Sequence, residues 1–181
     1  MNKNKIIIYK CASTKEELEQ ILILQQINLS TSVSNEEKIN EGFVTVRHTM
    51  KILSRMNNLI PHIIAKEEEK VVGYALCMHP DFAKDIAVLK PMFSKIKSII
   101  KKDKKYIVMG QICIDKVYRK KGIFRMLYIT MKNSIAPNYS TIITEVDVTN
   151  SRSLQAHYAI GFKTLITYQA KGHQWELIYW K

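Results

Sequence analysis

The stretch YRKKGIFRML, residues 118–127, joins a strand-like run at 106–114 to a helix with apolar periodicity. The free N–H groups of a first helical turn point outward, and the helix dipole adds partial positive charge to them. Full positive charges lie in the same turn, on Arg119, Lys120 and Lys121. Gly122 lets the backbone approach a bulky phosphate closely. The stretch therefore predicts an anion-binding turn, for which a pyrophosphate is the favoured ligand.

Two common phosphate-binding patterns do not fit this turn. The dinucleotide fingerprint needs three spaced glycines, and the phosphate loop needs Gly-Lys followed by Ser or Thr. The turn instead resembles the coenzyme A loop of the GNAT-type N-acetyltransferases, whose pattern is Arg/Gln-x-x-Gly-x-Gly/Ala. Arg119 and Gly122 match that pattern, whereas Phe124 stands where the family usually has a small residue. The backbone N–H of Phe124 survives the substitution, so the resemblance still implies an anion cradle.

A second stretch supports the same resemblance. Residues 144–150, TEVDVTN, precede residues 151–162, SRSLQAHYAIGF, and together they are similar to the family's later signature of a strand, an Asn, a short helix and Gly-Phe. Both motifs occur in the family's order, and the resemblance covers most of the chain. It implies an α/β (α+β) architecture, the GNAT acyl-CoA N-acyltransferase fold, with a mixed central sheet and helices on both faces. We expect one N-acetyltransferase domain over residues 1–181.

Composition places the chain among ordinary globular domains. Its 181 residues are 46% apolar, and this length allows a full core. No segment approaches the roughly 18 apolar residues of a membrane span, and the N-terminal apolar run is too short for a signal peptide. The cysteines are odd in number and far apart, without metal-ligand spacing: Cys11, Cys77 and Cys113. We therefore expect a cytoplasmic protein with free thiols, no metal and no membrane partner.

The formal net charge of +12 raises the alternative of a nucleic-acid-binding protein. The excess is mostly Lys, scattered along the chain, and the densest run at 101–106 lacks interleaved aromatic residues for stacking bases. A solvated, Lys-rich surface is therefore the favoured interpretation, and nucleic acid is not an expected partner. The same charge would attract anionic coenzyme A.

The order of predicted elements is mixed, with an antiparallel start. Ser13 or Thr14 caps a first helix, and Pro91 interrupts an amphipathic segment at 79–105. The expected elements are a strand at 5–11, the first helix, a helical region at 43–56, a hairpin of 60–65 with 71–78, the segment 79–105, a strand to residue 114, a helix to about 132, a strand at 141–149, a short helix, and a hairpin at 163–180.

Two carboxylates share one face of the predicted strand at 141–149. Glu145 and Asp147 alternate with β-branched residues, and burying an unpaired charge is costly. The residues alone leave open a general base, a solvent-exposed face or an ion pair. The resemblance favours Glu145 as the base that deprotonates the substrate amine. Asp147 is expected to bind the substrate's ammonium group or to face solvent.

The short helix after Asn150 holds the second pair of catalytic candidates. Many members of the family carry a Tyr four residues before the Gly of the later signature, as the acid that protonates the departing thiolate. Here that position is His157, and Tyr158 lies one step round the helix. Either side chain can supply a proton, and either can instead be an inert packed residue.

The resemblance also implies a set of residues that bind the coenzyme. In the family, the strand that enters the loop splays from the next strand, its backbone binds the pantetheine arm, and one N–H group polarises the thioester carbonyl. Cys113 itself is interpreted as a small core residue. The implied coenzyme-binding residues are Ile112, Cys113, Ile114, Arg119, Lys120, Lys121, Gly122, Ile123, Phe124, Asn150 and Ser153.

These patterns together predict transfer of an acetyl group from acetyl-CoA to a primary amine, by direct attack in a ternary complex. Two alternatives stay open: transfer of another short acyl group, and a module that binds or senses acyl-CoA without turnover. The acceptor, a small-molecule or peptide amine, carries no motif in the sequence. A homodimer through the C-terminal strands is also left open.

Overall fold

The structure, a computed structural model, describes residues 6–101 and 105–181, which form seven strands, six α-helices and three short 3-10 helices. The strands are β1 (Ile7–Cys11), β2 (Ile63–Glu67), β3 (Lys70–Met78), β4 (Tyr106–Ile114), β5 (Thr141–Asp147), β6 (Lys163–Ala170) and β7 (His173–Trp180). The α-helices are α1 (Lys15–Ile27), α2 (Asn35–Glu41), α3 (Met50–Leu59), α4 (Lys90–Ile99), α5 (Ile123–Ile135) and α6 (Ser151–Tyr158). Short 3-10 helices lie at Pro80–Lys84, Ala87–Leu89 and Lys116–Tyr118.

The strands form one mixed sheet in the order β1-β2-β3-β4-β5-β7-β6. Neighbouring strands are antiparallel, except for β4 and β5, which are parallel. The pairing of β4 with β5 ends at Val108 and Ile143, and the gap beyond these two residues is called the fork below. The register between β3 and β4 shifts between Ala75 and Cys77, so that β4 bulges beside the fork. Bulges of this kind commonly lie next to active sites.

Hydrophobic side chains pack on both faces of the sheet. One cluster joins α1, α3 and α4 to the sheet through Ile21, Leu53 and Ile96, all fully buried. The other cluster joins α5 to the opposite face through Leu127 and Met131. The predicted fold class, a mixed central sheet with helices on both faces, is therefore confirmed. Among the described residues, no helix is both long and apolar enough to cross a membrane.

Several predicted element boundaries are confirmed. Thr14 caps α1: its side chain accepts a hydrogen bond from the backbone of Glu17, whose carboxylate accepts one in return. Pro91 lies in the first turn of α4, where a proline needs no intrahelical partner for its nitrogen. Both predicted hairpins are present, as β2–β3 and β6–β7. Lys5, with which the first predicted strand begins, lies outside the described residues.

The prediction of a helix at 43–56 was wrong about where the helix begins. Residues 43–49 run irregularly, because Val44 exchanges backbone hydrogen bonds with Asn28 and Ser30 at 3.0 and 2.9 Å instead of bonding within a helix. The helix α3 begins only after Thr49, whose side chain caps it. The polar stretch before these residues is partly helical and forms α2. The irregular segment therefore runs along the sheet, beside the fork.

Candidate active site

Most of the residues predicted to bind coenzyme A surround one cavity of about 230 Å³ beside the fork, called the loop cavity below. The predicted residues that line it are Ile112, Cys113, Ile114, Arg119, Lys120, Gly122, Ile123, Phe124, Asn150 and Ser153. Lys121 is not among the lining residues. Its ammonium group lies over the ring of Tyr118, 5.1 Å from the ring centroid, and this cation–π contact places the charge elsewhere. The structure therefore does not place the ammonium group of Lys121 at the loop cavity, and its contact with the coenzyme stays a prediction.

Backbone N–H groups at the start of α5 lie at the loop cavity without a capping side chain. Gly122 is the N-cap residue and has a left-handed conformation, with φ of 78°, which a residue with a Cβ atom adopts only at a cost. A Cβ atom on Gly122 would meet nothing within 4 Å, so the space beside the turn is open. Because the first N–H groups of a helix have no intrahelical partner, this turn fits a pyrophosphate.

Arg119 lines the loop cavity, but its guanidinium is already engaged. Its Nε donates to the carbonyl oxygen of Ile114 at 3.1 Å, and Nη2 donates to Oδ1 of Asn28 at 2.7 Å. Its Nη1 forms an ion pair with Glu41 at the end of α2. Arg119 therefore ties the end of β4 to α1 and α2, and Glu41 partly neutralises the positive charge that the sequence predicts there.

Asn150 shapes the opposite wall of the loop cavity. Its Oδ1 accepts a hydrogen bond from the backbone N–H of Ser153 at 3.3 Å, which caps α6. Its Nδ2 donates to the carbonyl oxygen of Phe43 at 3.2 Å. Gly42 precedes that residue with φ of 77°, and a Cβ atom there would lie 3.0 Å from Oδ1 of Asn150. Asn150 thus fastens the irregular segment to the cavity wall.

Cys113 is buried in the sheet, as its interpretation as a core residue requires. Burial raises the pKa of its thiol to about 12, and the nearby Arg119 offsets only part of that effect. A thiol with this pKa is not ionised near neutral pH and is a poor nucleophile. Cys113 therefore contributes backbone groups and packing to the fork.

A second, smaller cavity occupies the fork itself and connects two regions of the molecule. This fork cavity shares Ile112, Asn150 and Ser153 with the loop cavity. On the other side, it shares residues with a groove of about 520 Å³ beside the β6–β7 hairpin, called the hairpin groove below. The residues common to the fork cavity and the hairpin groove are Phe43, Thr45, Glu145, Asp147 and Trp175.

Glu145 stands at the junction of the fork cavity and the hairpin groove. Its side chain is partly buried on the sheet face that carries α1 and α4, and it accepts a hydrogen bond from the hydroxyl of Tyr168. Burial raises the pKa of Glu145 to about 7, although the hydrogen bond from Tyr168 lowers it. Glu145 can therefore take up and release a proton near neutral pH, as a general base must.

Asp147 does not face solvent, which corrects one of its two predicted roles. Its side chain is 5% exposed and accepts three hydrogen bonds. The backbone N–H and the hydroxyl of Thr149 donate to Oδ1 at 2.9 and 2.6 Å. Nδ1 of His173 lies 2.8 Å from Oδ2. These partners occupy most of the acceptor sites of a carboxylate, and the predicted contact with a substrate ammonium stays a prediction.

His157 is enclosed by aromatic rings and is only 1% exposed. The ring centroids of Phe124, Tyr128 and Phe162 lie 5.0, 5.5 and 5.1 Å from its own. Its Nδ1 lies 2.7 Å from the carbonyl oxygen of Ser153 and therefore carries the proton, so that Nε2 accepts from the Tyr128 hydroxyl at 2.7 Å. Burial lowers the pKa of His157 to about 4. His157 also lines the fork cavity. Because this imidazole is neutral and has partners at both ring nitrogens, the structure argues against the predicted acid role, which stays a prediction.

Tyr158 points away from the fork, because one residue along an α-helix is a rotation of about 100°. Its hydroxyl donates to Glu176 of β7 and lies 3.1 Å from Oγ1 of Thr164. It is not among the residues that line the loop cavity, the fork cavity or the hairpin groove. The structure therefore does not bring Tyr158 together with Glu145, and the alternative of a packed residue describes it better.

Several residues of these cavities were not singled out from the sequence, and three of them carry polar or charged groups that bear on the chemistry. Arg152 lines the loop cavity, and Tyr168 and His173 line the hairpin groove. Arg152 carries a detectable signal, since it is a basic residue two positions after the Asn that caps a helix. Tyr168 and His173 reach β5 only through the pairing of β5, β7 and β6, which the sequence does not specify. Among the described residues, no group of three or more His, Cys, Asp or Glu side chains could hold a metal ion.

A family model places the chain among known proteins. The acetyltransferase (GNAT) family matches residues 28–162, which is well over half of the chain. The chain therefore belongs to the acetyltransferase (GNAT) family, as its two motifs indicate. A search of curated proteins gave no match.

Solved structures share the fold at low sequence identity. NAA60 from Arabidopsis thaliana in complex with acetyl-CoA superposes with a TM-score of 0.67 at 14% identity, over 97% of this chain and 99% of that one. Naa50 from the same plant, in complex with the bisubstrate analogue CoA-Ac-MVNAL, gives 0.65 at 14%, over 97% and 98%. The yncA protein from Salmonella typhimurium with acetyl-CoA gives 0.63 at 12%, over 97% and 93%. At these identities the likeness establishes the fold alone.

Proposed function

We propose that this chain is an N-acetyltransferase that moves the acetyl group of acetyl-CoA to a primary amine by direct attack within a ternary complex. The observation that carries the proposal is the position of Glu145, at the junction of the fork cavity and the hairpin groove. The fork cavity adjoins the loop cavity, whose turn fits a pyrophosphate. A proton acceptor thus lies between a site suited to the acyl donor and an open groove for the amine.

The loop cavity would hold the donor. The N–H groups of Ile123 and Phe124 bind the pyrophosphate, and Lys120 and Arg152 add positive charge beside it. Acetyl-CoA supplies a thioester, an acetyl group activated for transfer. The backbone of β4 at 112–114 lies beyond its pairing with β5, so groups directed into the fork are available to the pantetheine arm and the thioester carbonyl.

Glu145 would prepare the acceptor. A primary alkylamine resembles the Lys side chain, with a pKa of about 10.4, and therefore arrives mostly as an ammonium ion that cannot attack. Glu145 takes one proton from it, directly or through water, and its raised pKa of about 7 makes that transfer less unfavourable. The hydroxyl of Tyr168 fixes the orientation of the carboxylate. Holding both reactants in place supplies much of the rate gain.

The departing thiolate needs no acid from the protein in this proposal. A free thiol has a pKa of about 8.5, so its thiolate is a moderate leaving group. Through water, the thiolate takes up the second proton that the amine nitrogen loses when it becomes an amide. His157 and Tyr158 have hydrogen-bond partners of their own, in Tyr128 and Glu176. Their role is to support α6, whose N-terminus adjoins the loop cavity.

The hairpin groove would take the acceptor. Its volume of about 520 Å³ lies within the range of small-molecule sites. Apolar side chains such as Phe43, Leu89 and Trp175 line it, together with the carboxylate of Glu145. We propose a small-molecule or peptide amine whose apolar part contacts these walls. The peptide-like analogue bound by Naa50, which shares the fold, supports the peptide alternative.

The decisive experiment measures thiol release from acetyl-CoA in the presence of a panel of amines. We expect Glu145→Gln to lower kcat by about 100-fold near neutral pH, because a positioned base typically contributes that much. Calorimetry should show that Glu145→Gln binds acetyl-CoA with an affinity within twofold of that of wild type. Glu176→Gln is the matched control, because Glu176 contacts Tyr158 instead of the groove and its loss should leave kcat nearly unchanged. Full activity in Glu145→Gln would refute the proposal.

A second candidate is an acyl-CoA-binding module without turnover. It is favoured by Phe124, whose ring packs against His157 where the family usually has a small residue, and by Glu41, a carboxylate on the wall of an anion site. Saturable acetyl-CoA binding without thiol release from any amine would select this candidate. Faster thiol release from a longer acyl-CoA would instead select transfer of another short acyl group.

A further inference from the structure

We propose that His173, oriented by Asp147, is the group through which the proton taken up by Glu145 leaves the hairpin groove. This inference rests on the proposed function and assigns a second catalytic group to the same site. It starts from one observation: a buried carboxylate and a largely exposed imidazole form a hydrogen-bonded pair on the groove wall.

The contact between the two residues fixes which nitrogen of His173 is free. Nδ1 lies 2.8 Å from Oδ2 of Asp147, and a carboxylate can only accept, so Nδ1 carries a hydrogen. In the neutral ring, Nε2 then holds the lone pair. Asp147 cannot rotate freely, because Thr149 donates two hydrogen bonds to its other oxygen. His173 is therefore held as a proton acceptor at Nε2.

The location of the pair suits a proton exit. Asp147 and Glu145 lie two residues apart on one face of β5, which separates their Cα atoms by about 7 Å. That distance can be bridged by one or two water molecules between the side chains. The side chain of His173 is 59% exposed, whereas Glu145 is partly buried beneath Tyr168. His173 thus connects the inside of the groove with solvent.

The groove has both signs of charge around this imidazole. The other ionisable groups on its walls are Lys38, Glu145, Asp147, Tyr168 and Lys171. The ring of Trp175 lies 5.9 Å from that of His173 and limits its movement. The imidazole is thus kept beside Asp147 on the groove wall.

The proton balance of one turnover shows why an exit is needed. Each ammonium acceptor brings two protons more than the amide product keeps. One of them ends on the departing thiolate, and Glu145 receives the other. Glu145 returns to the carboxylate when this proton passes through water to Nε2 of His173. The other hydrogen stays on Nδ1, which donates it to Asp147, and the imidazolium releases the Nε2 proton to bulk buffer. No other reactant is consumed.

The test compares His173→Ala with His79→Ala. His79 also pairs with a carboxylate, Asp81 at 3.2 Å, but lies outside the hairpin groove. We expect His173→Ala to lower kcat about tenfold near neutral pH, less than loss of the base itself, with the KM for the amine within twofold. Added imidazole should restore several-fold activity to His173→Ala and none to His79→Ala. Asp147→Asn should lower kcat as His173→Ala does, and it should also flatten the dependence of kcat on pH.

Each outcome decides the inference. A normal kcat in His173→Ala, or a raised KM alone, would overturn it, since the residue would then be inert or would only contact the acceptor. Activity that is lost without any response to imidazole would also contradict a proton-transfer role. If wild type turns over and Glu145→Gln does not, the proposed function stands whatever His173 does. Absence of turnover in wild type would overturn both.

Discussion

The loop cavity and the hairpin groove are built in different ways. At the loop cavity, the groups suited to an anion are backbone N–H groups from one continuous turn, ending at Gly122 and the start of α5. At the hairpin groove, the chemical groups are side chains from β5, β6 and β7, brought together by sheet register. A change at the first region should therefore matter when it alters the backbone. At the second region, the loss of a single side-chain oxygen atom should be enough to change catalysis.

The largest expected effect tests the backbone half of this comparison. Gly122→Asp places a side chain where φ is 78° and sets a carboxylate beside the phosphate site. A like charge about 4 Å away costs about 1 to 4 kcal/mol, depending on the local dielectric, so we expect acetyl-CoA to bind about 100-fold more weakly. Isothermal titration calorimetry measures the change.

Gly172 offers a matched control for this substitution. It also has φ of 78°, and a Cβ atom there would likewise meet nothing within 4 Å, but it lies in the turn between β6 and β7. Gly172→Asp should therefore carry the same backbone strain and leave acetyl-CoA binding unchanged. Equal weakening in both variants would mean that strain, and not the anion site, explains the loss.

The two regions also differ in how far the sequence predicts them. The turn at Gly122 could be predicted because the strand, the basic residues and the helix follow one another within a short stretch. Tyr168 and His173 could not, because they reach Glu145 and Asp147 only through β7, where Trp175 pairs with both Asp147 and Tyr168. Their chemistry depends on strand register, which local patterns leave undetermined.

Burial and distant partners explain where the structure departs from the predictions. His157 matches a family position in sequence, yet its partner Tyr128 lies 29 residues away on α5, and the enclosure that lowers its pKa leaves no local trace. Arg119 has the expected charge, but its counterion Glu41 is 78 residues away in the chain. The overall order of elements was predictable, because it depends on periodicity and caps that act locally.

A smaller change tests the side-chain half of the comparison. Tyr168→Phe removes one oxygen atom, the donor to the carboxylate of Glu145. That donor stabilises the charged form, so its loss raises the pKa of Glu145 further above about 7. Because the carboxylate is the active base, the rise of kcat/KM with pH should move to higher pH by about one pH unit. The pH profile of the thioester assay measures this shift.

Tyr179→Phe is the matched control for Tyr168→Phe. Tyr179 lies on β7 opposite Ile143, away from the hairpin groove, so its hydroxyl should not affect Glu145. Its pH profile should coincide with that of wild type. A profile for Tyr168→Phe that moves to lower pH, or does not move, would contradict the assignment of Glu145 as the base.

The smallest expected effect concerns a side chain at the loop cavity. Glu41 lines this cavity and forms an ion pair with Arg119, so a negative charge stands beside the proposed pyrophosphate site. Glu41→Gln should tighten acetyl-CoA binding about threefold, a modest gain because the pair is partly exposed and screened by salt. Glu19→Gln, which breaks an exposed ion pair with Lys15 on α1, should leave the affinity unchanged. Weaker binding in Glu41→Gln would instead mean that the ion pair holds Arg119 in its binding position, and that this region depends on side chains more than its backbone geometry indicates.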